Sequence, residues 1–493
     1  MADLTLHSWE EPNPAAVIEV HTDGDWAALE NATILPNANP LPWQRCLEVA
    51  KACGAQTVVV ETRYVDLDYR SEYSAFFSRT FAEIPDTARR YHFFRDRLAA
   101  DSIWNLDGDG GYLGYVVARP TGLGFTGRTM LTPPPDVAPH VTCLTSETIN
   151  FFGQELSVSA VPFVQQDTQF GRCAHAAAWM CHYTAVRTGR APRRPIADFG
   201  LLADHSVVSG RPVPSAGLTG LQISNLMSQF GLPPIFYAMD SLPDHPRLSM
   251  ADPGTRAVPV LCRYLNSGMP VLVGTGSHAF IVVGYERVRR RGGTDWFRFV
   301  RHDDQAGPYR WIEDINNDID ATTGHDYGPW RMLIAPLPTK LWLSPEAAER
   351  KGISYLAAFD GIVASDGIQR ARDLNTLMTA GRLSHRTYAI ESNAFKIKAG
   401  IRRLGADATR ELRLARMSRL VWVVEAIDRR RRRAGGPCVM GEVVFDATSS
   451  DISPQPLTMR VPGALIIFGT DGSYRYPIDS TDRAVRSACD VEH

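Results

Sequence analysis

The chain has 493 residues, 44% hydrophobic and 22% charged, with 52 Lys and Arg against 54 Asp and Glu and a formal net charge of −2. That balance excludes disordered, collagen-like and coiled-coil classes, and it argues against a protein that grips nucleic acid mainly through phosphates. The length suits two to four domains of about 100–200 residues each.

Met1–Val17 holds Asp3, Glu10, Glu11 and two prolines with no apolar run, so neither a secretory signal nor a membrane anchor is expected there. No stretch reaches the roughly 20 apolar residues of a spanning helix. The eight cysteines, at 46, 53, 143, 173, 181, 262, 438 and 489, show no repeated short spacing. Zinc ribbons and disulfide scaffolds are therefore not expected, and a cytoplasmic, thiol-reducing setting is. In the first region, residues 1–145, Thr57–Glu61 reads as a strand and Ser71–Phe81 as an aromatic-rich helix. Tyr112–Arg119 and Arg128–Leu131 read as strands before the proline-dense Thr132–His140. Asp107-Gly108-Asp109-Gly110 lacks the distal ligands of a calcium loop and reads as a polar turn.

The middle domain, residues 146–340, carries the chemistry. In Val161–Met180 a glutamine-bearing polar stretch leads through Gly171 into Ala174, Ala176, Ala177 and Ala178, a strong helix-forming run. Cys173 thus falls at a helix N-terminus, where orphan N–H groups and the macrodipole favour a thiolate. About a hundred residues later, Gly268-Met269-Pro270 precedes a short strand, Val271–Val273, and His278 opens a second, Ala279–Val283, closed by Gly284-Tyr285. Trp296–Ile312 alternates apolar and polar residues and reaches His302-Asp303-Asp304 before a Gly-Pro turn. Hairpin chemistry in Arg289–Asp295 makes these strands antiparallel, which carries an acid back beside His278. Cys173, His175, Cys181 and His182 lie close enough in sequence to raise a metal site. On one helix their side chains do not converge, so none is expected there.

The last region, residues 341–493, opens on Ser344-Pro345-Glu346, a helix start with Ser344 as N-cap. It continues to strand-like runs at Leu420–Ile427, Val439–Phe445 and Ala464–Phe468, with Arg429–Arg433 read as a solvated turn. Both flanking regions are mixed α+β by pattern, and neither carries a motif that translates into chemistry.

The order of Gln166, Cys173 on a small-residue helix, Gly268-Met269-Pro270, His278–Tyr285 and Asp303–Tyr309 resembles the papain-like cysteine peptidases, most closely their bacterial leader-peptidase-like branch. Gly217–Leu232 resembles the family's connecting helix, with Ile223, Leu226, Met227 and Phe230 on one face. The likeness spans about residues 160–340. It implies an α+β fold, a nucleophile helix packed on an antiparallel sheet, and a thiol hydrolase acting on a protein or peptide without metal or organic cofactor. It also implies roles: Cys173 as nucleophile, His278 as base, Asp303 as orienter, and Gln166 with the Cys173 N–H as oxyanion hole. Two departures stand out. Ala174 follows the cysteine where many members have Gly, and Gln166 lies seven residues before it and Gln165 eight, against a usual six. The choices between Gln165 and Gln166, and between Asp303 and Asp304, stay open. An acyltransferase or transglutaminase-like enzyme with the same triad, and a silent binding protein on the same fold, are the alternatives. No nucleic-acid or membrane partner is expected, and the flanking regions are the places for regulators to bind.

Overall fold

Alternating strands and amphipathic helices assemble into a mixed α+β architecture in a computed structural model of the chain. It describes residues 14–35, 38–122, 124–167, 171–203, 217–243, 253–288, 296–358, 372–398, 404–470, 472–478 and 484–489. The expected hairpin turn at 289–295 lies outside them, as do residues 1–13 of the N-terminal stretch. Two compact units result, one of Met1–Val258 with Gly268–Pro338, the other of Pro259–Ser267 with Thr339–His493. Among the described residues, no helix is long and apolar enough to cross a membrane.

The first unit begins with β1 (Ala15–Glu19), α1 (Asp23–Thr33), α2 (Leu41–Ala52), β2 (Thr57–Tyr64), α3 (Leu67–Ala75), β3 (Ala88–Phe94), β4 (Tyr112–Ala118) and β5 (Thr126–Leu131). Its five strands pair antiparallel in sequence order. Where the composition suggested a helix over Ser71–Phe81, α3 starts earlier, because the Asp66 carboxylate accepts from Tyr69 N and caps it. It ends at Phe76, whose backbone (φ −132°, ψ −61°) is not helical, and one 3₁₀ turn follows.

A two-stranded hairpin, β6 (Thr145–Phe151) and β7 (Gln154–Ala160), leads to α4 (Cys173–Arg187), α5 (Ala197–Leu201), α6 (Gly220–Gln229), β8 (Pro234–Ala238) and α7 (Pro253–Leu265). The second sheet comprises β8 with β9 (Val271–Gly274), β10 (Ala279–Val288), β11 (Trp296–Asp303), β12 (Gly307–Ile312) and β13 (Met332–Pro336). Its order is β12-β11-β10-β9-β13-β8, and every pairing is antiparallel. Ile223, Leu226, Met227 and Phe230 of α6 and its end are all buried, as their helical spacing predicts.

Small residues let α4 lie close to the sheet: Ala174, Ala176, Ala177 and Ala178 are buried, and α4 packs on β9 and β10. Gly284 has the same kind of reason. A Cβ there would stand 2.2 Å from the His140 carbonyl oxygen, at a bulge where the backbone bridges to Val141. Chain on both sides of residue 145 belongs to this unit. Arg119 donates to the Gln165 carbonyl (2.6 Å), and Arg45 donates to the carbonyls of Pro308 (3.1 Å) and Tyr309 (2.8 Å).

In the second unit, α8 (Pro345–Ala357) starts at the Ser344 cap and packs on a six-stranded antiparallel sheet. Its strands are β14 (Leu383–Glu391), β15 (Leu420–Asp428), β16 (Val439–Asp446), β17 (Pro456–Val461), β18 (Ala464–Gly469) and β19 (Gly472–Pro477), in that order. Arg429–Arg433, expected as a turn, forms one helical turn because the Asp428 carboxylate accepts from Arg430 N.

Candidate active site

Cys173 is the first residue of α4. Arg172 before it is extended (φ −112°, ψ 177°), so the chain enters the helix sharply, with the cysteine half-buried at the orphan-donor end. The entry is pinned on both sides. The Asp167 carboxylate accepts from Gly171 N at 3.0 and 3.1 Å, and His175 Nδ1 accepts from Arg172 N at 3.2 Å.

His278 stands in the short connection before β10, held by its own backbone. Its N–H donates to Thr275 Oγ1 (3.1 Å) and its carbonyl accepts from Thr275 N (2.9 Å). Antiparallel register does the rest: Ile281 pairs with His302 and Val282 with Arg301, which brings the end of β11 to the start of β10. His278 Nε2 lies 3.1 Å from Asp303 Oδ1, and the imidazole is hydrogen-bonded to the Cys173 thiol. With Nε2 committed to Asp303, Nδ1 is the nitrogen left for the thiol. Gln305 Nε2 is also within 3.4 Å of Nδ1.

Asp303 is built to stay charged. Its Oδ1 accepts from Gln305 N (2.8 Å) and Ala306 N (3.3 Å), and Tyr327 is hydrogen-bonded to the same carboxylate. Burial opposes its ionisation, but the His278 charge, that hydrogen bond and the Arg301 guanidinium hold its carboxyl well below the usual range. Burial likewise opposes protonation of His278, yet Asp303, with help from Cys173 and Asp304, pushes the imidazole up to about 11. The charged imidazolium is the form of His278 that this favours.

Asp304 differs from its neighbour. It is fully buried, its Oδ1 lies 3.7 Å from His278 Nε2, and no other described residue donates a hydrogen bond to either of its oxygens. Burial, and then the Asp303 charge, push its carboxyl up against the pull of His278. Of the two acids, Asp303 is therefore the one in direct hydrogen bond to the imidazole. His278, Asp303 and Asp304 also bring donor atoms within 4.8 Å of one another, the arrangement among the described residues closest to a cation site.

The two glutamines part in the same way. Gln165 is buried with both ends of its amide engaged, Nε2 donating to Asn39 O (3.1 Å) and Oε1 accepting from Thr126 N (2.8 Å). Gln166 is only half-buried; both glutamines line a small cleft with Gly171 and Arg172 at the entry of α4, so it is the burial and the engaged amide of Gln165 that part them. Cys181 is buried with its sulfur facing Pro270 O at 3.8 Å, and His182 is edge-on to Phe199 and Phe230, so neither joins Cys173.

Sequence reasoning missed the groups behind His278 and Asp303. Tyr327 packs on the His278 ring at 5.6 Å, and Arg301 lies 3.8 Å over the Tyr327 ring. Arg301 is in turn held by Asp318 and Asp320, both at 2.9 Å, and Trp330 Nε1 donates to Asp318 at 3.0 Å. Apart from Arg301 on β11, these residues come from the connection before β13, where nothing in the sequence pattern points at His278. Gln305 directly follows the two acids, and that adjacency is the one signal that could have found it.

No protein-family description matches this sequence, and no curated protein does. Among solved structures, the crystal structure of UfSP from C. elegans is similar at 14% identity and a TM-score of 0.25, over 39% of this chain and 34% of that chain. The chain thus spans about a third of that protein's length, and a likeness this slight carries no argument.

Proposed function

We propose that this chain is a cysteine-nucleophile hydrolase of papain-like fold that cleaves a peptide or isopeptide bond in a protein or peptide. The observation that carries the reading is the continuous hydrogen-bonded path from the Cys173 thiol through His278 to Asp303. Three features support the fold: a nucleophile at a helix start, that helix packed on an antiparallel sheet, and a base just before β10 facing an acid at the end of the neighbouring β11.

A thiol with its ordinary pKa near 8.5 is mostly protonated at neutral pH, so attack requires a base and a positive field. Cys173 passes its proton to His278 and its sulfur adds to the carbonyl carbon. The carbonyl oxygen takes the negative charge, facing the Cys173 N–H and the Gln166 amide. His278 then returns the proton to the leaving amine, which departs as the C–N bond breaks. Water, deprotonated by His278, breaks the thioester and restores the thiol. Asp303 holds the imidazole in place and stabilises its charged form throughout. The cytoplasmic setting we assign rests on eight cysteines with no repeated short spacing.

The test is labelling with a thiol-reactive peptidase probe, read by peptide mass spectrometry. Cys46, Cys53, Cys143 and Cys181 are buried, and burial pushes all four thiols up, Cys53 to about 11. Selective modification of Cys173, lost in Cys173→Ala and strongly slowed in His278→Ala, is the expected result. Labelling of Cys173 at the same rate with and without His278 would sink the proposal.

A further inference from the structure

Two buried carboxyls face one imidazole. Asp303 takes Nε2 in a hydrogen bond at 3.1 Å. Asp304 is left fully buried at 3.7 Å from the same nitrogen, with no donor from another described residue on either oxygen. A buried carboxyl that no neighbouring donor reaches calls for a physical account, and a bound ion is one of the few that supplies it.

We propose that His278 Nε2, Asp303 and Asp304 form a binding site for a divalent transition-metal ion, beside the Cys173 thiol; the site does not depend on the cysteine-hydrolase reading. The geometry suits it. Metal–ligand distances of about 2.0–2.2 Å place tetrahedral ligand atoms about 3.3–3.6 Å apart, and the three donor atoms here all lie within 4.8 Å of one another. The observed separations from Nε2, 3.1 Å to Asp303 Oδ1 and 3.7 Å to Asp304 Oδ1, bracket that range. One imidazole with two carboxylates favours an ion such as Zn²⁺ over Mg²⁺, which demands octahedral oxygen ligands.

The full chain, stripped of metal, is titrated with Zn²⁺ against a chromophoric chelator, and with Co²⁺ by absorption spectroscopy. The expected result is one site weakened at least tenfold by Asp304→Asn, abolished by His278→Ala and retained in Cys173→Ala. The Co²⁺ bound at that site lacks a sulfur-to-metal charge-transfer band. Circular dichroism and melting show whether each variant is folded, and Asp304→Ser repeats the comparison should Asp304→Asn not be. Wild-type affinity in both folded Asp304 variants, or loss of the site in Cys173→Ala with a thiolate band in wild type, would overturn the proposal. Failure of the probe labelling with the metal site intact would sink the hydrolase reading alone.

Discussion

His278 meets Asp303 through Nε2 at 3.1 Å while its ring is hydrogen-bonded to the thiol of Cys173, a residue 105 positions earlier in the chain. The carboxylate does more than attract charge: it is itself fixed by Gln305 N and Ala306 N, so the imidazole has a rigid reference. An imidazole aimed in this way suits the base role proposed for it, since no search for the right orientation precedes a proton transfer.

Asp303→Ala is expected to slow modification of Cys173 by on the order of 10²–10⁴-fold, as loss of an orienting acid does in other triads. It also leaves Gln305 N without its side-chain acceptor, at a cost of about 1–3 kcal/mol in stability, while Ala306 N keeps the carbonyl of residue 303. Rate of probe labelling and urea unfolding measure the two effects separately. A variant that reacts as fast as wild type would remove Asp303 from the site.

Gln165 and Gln166 are expected to fail differently. Gln165→Ala loses bonds to Asn39 O and Thr126 N, so it lowers the melting temperature. Gln166→Ala keeps stability within about 0.5 kcal/mol but lowers kcat/KM by on the order of 10²–10³ through the oxyanion. The reverse pattern would assign the oxyanion role to Gln165.

Acid is expected to weaken the first unit through buried neutral histidines. Burial pulls His182 down to about 4 and His92 also to about 4. The unfolded chain binds these protons near pH 6.5, so their contribution is complete above about pH 6.5 and is lost as pH falls towards 4. For His182 the loss is about 3 kcal/mol. His182→Phe, set among Phe199 and Phe230, should flatten the decline in urea midpoint between about pH 6.5 and 4.5. An unchanged slope in that variant would contradict it.

Gly284→Ala is expected to destabilise the sheet by about 1–3 kcal/mol or prevent folding, because its Cβ would stand 2.2 Å from the His140 carbonyl. Gly276→Ala, in the loop before His278, has open space at its Cβ and should change stability by no more than about 0.5 kcal/mol. Equal melting temperatures for the two variants would refute the close approach.

What the sequence by itself determined is local or carried by strong periodicity. The small-residue run after Cys173 dictates a helix start, and the apolar run after His278 dictates a buried strand. The alternation of Trp296–Asp303 brings an acid to the far end of its partner. Strand ends moved by a few residues, and α3 began earlier, because caps such as Asp66 act one residue at a time against a weak propensity. Tertiary structure alone decided which of two adjacent acids meets the imidazole and which of two adjacent glutamines is locked away. Neighbouring residues look equivalent in sequence, but successive side chains point apart, and each finds a different partner from distant chain: Asn39 and Thr126 for Gln165, Tyr327 for Asp303. That no neighbouring donor reaches the Asp304 carboxyl was invisible for the same reason, since a missing hydrogen bond is a property of everything packed around a residue and not of the residue itself.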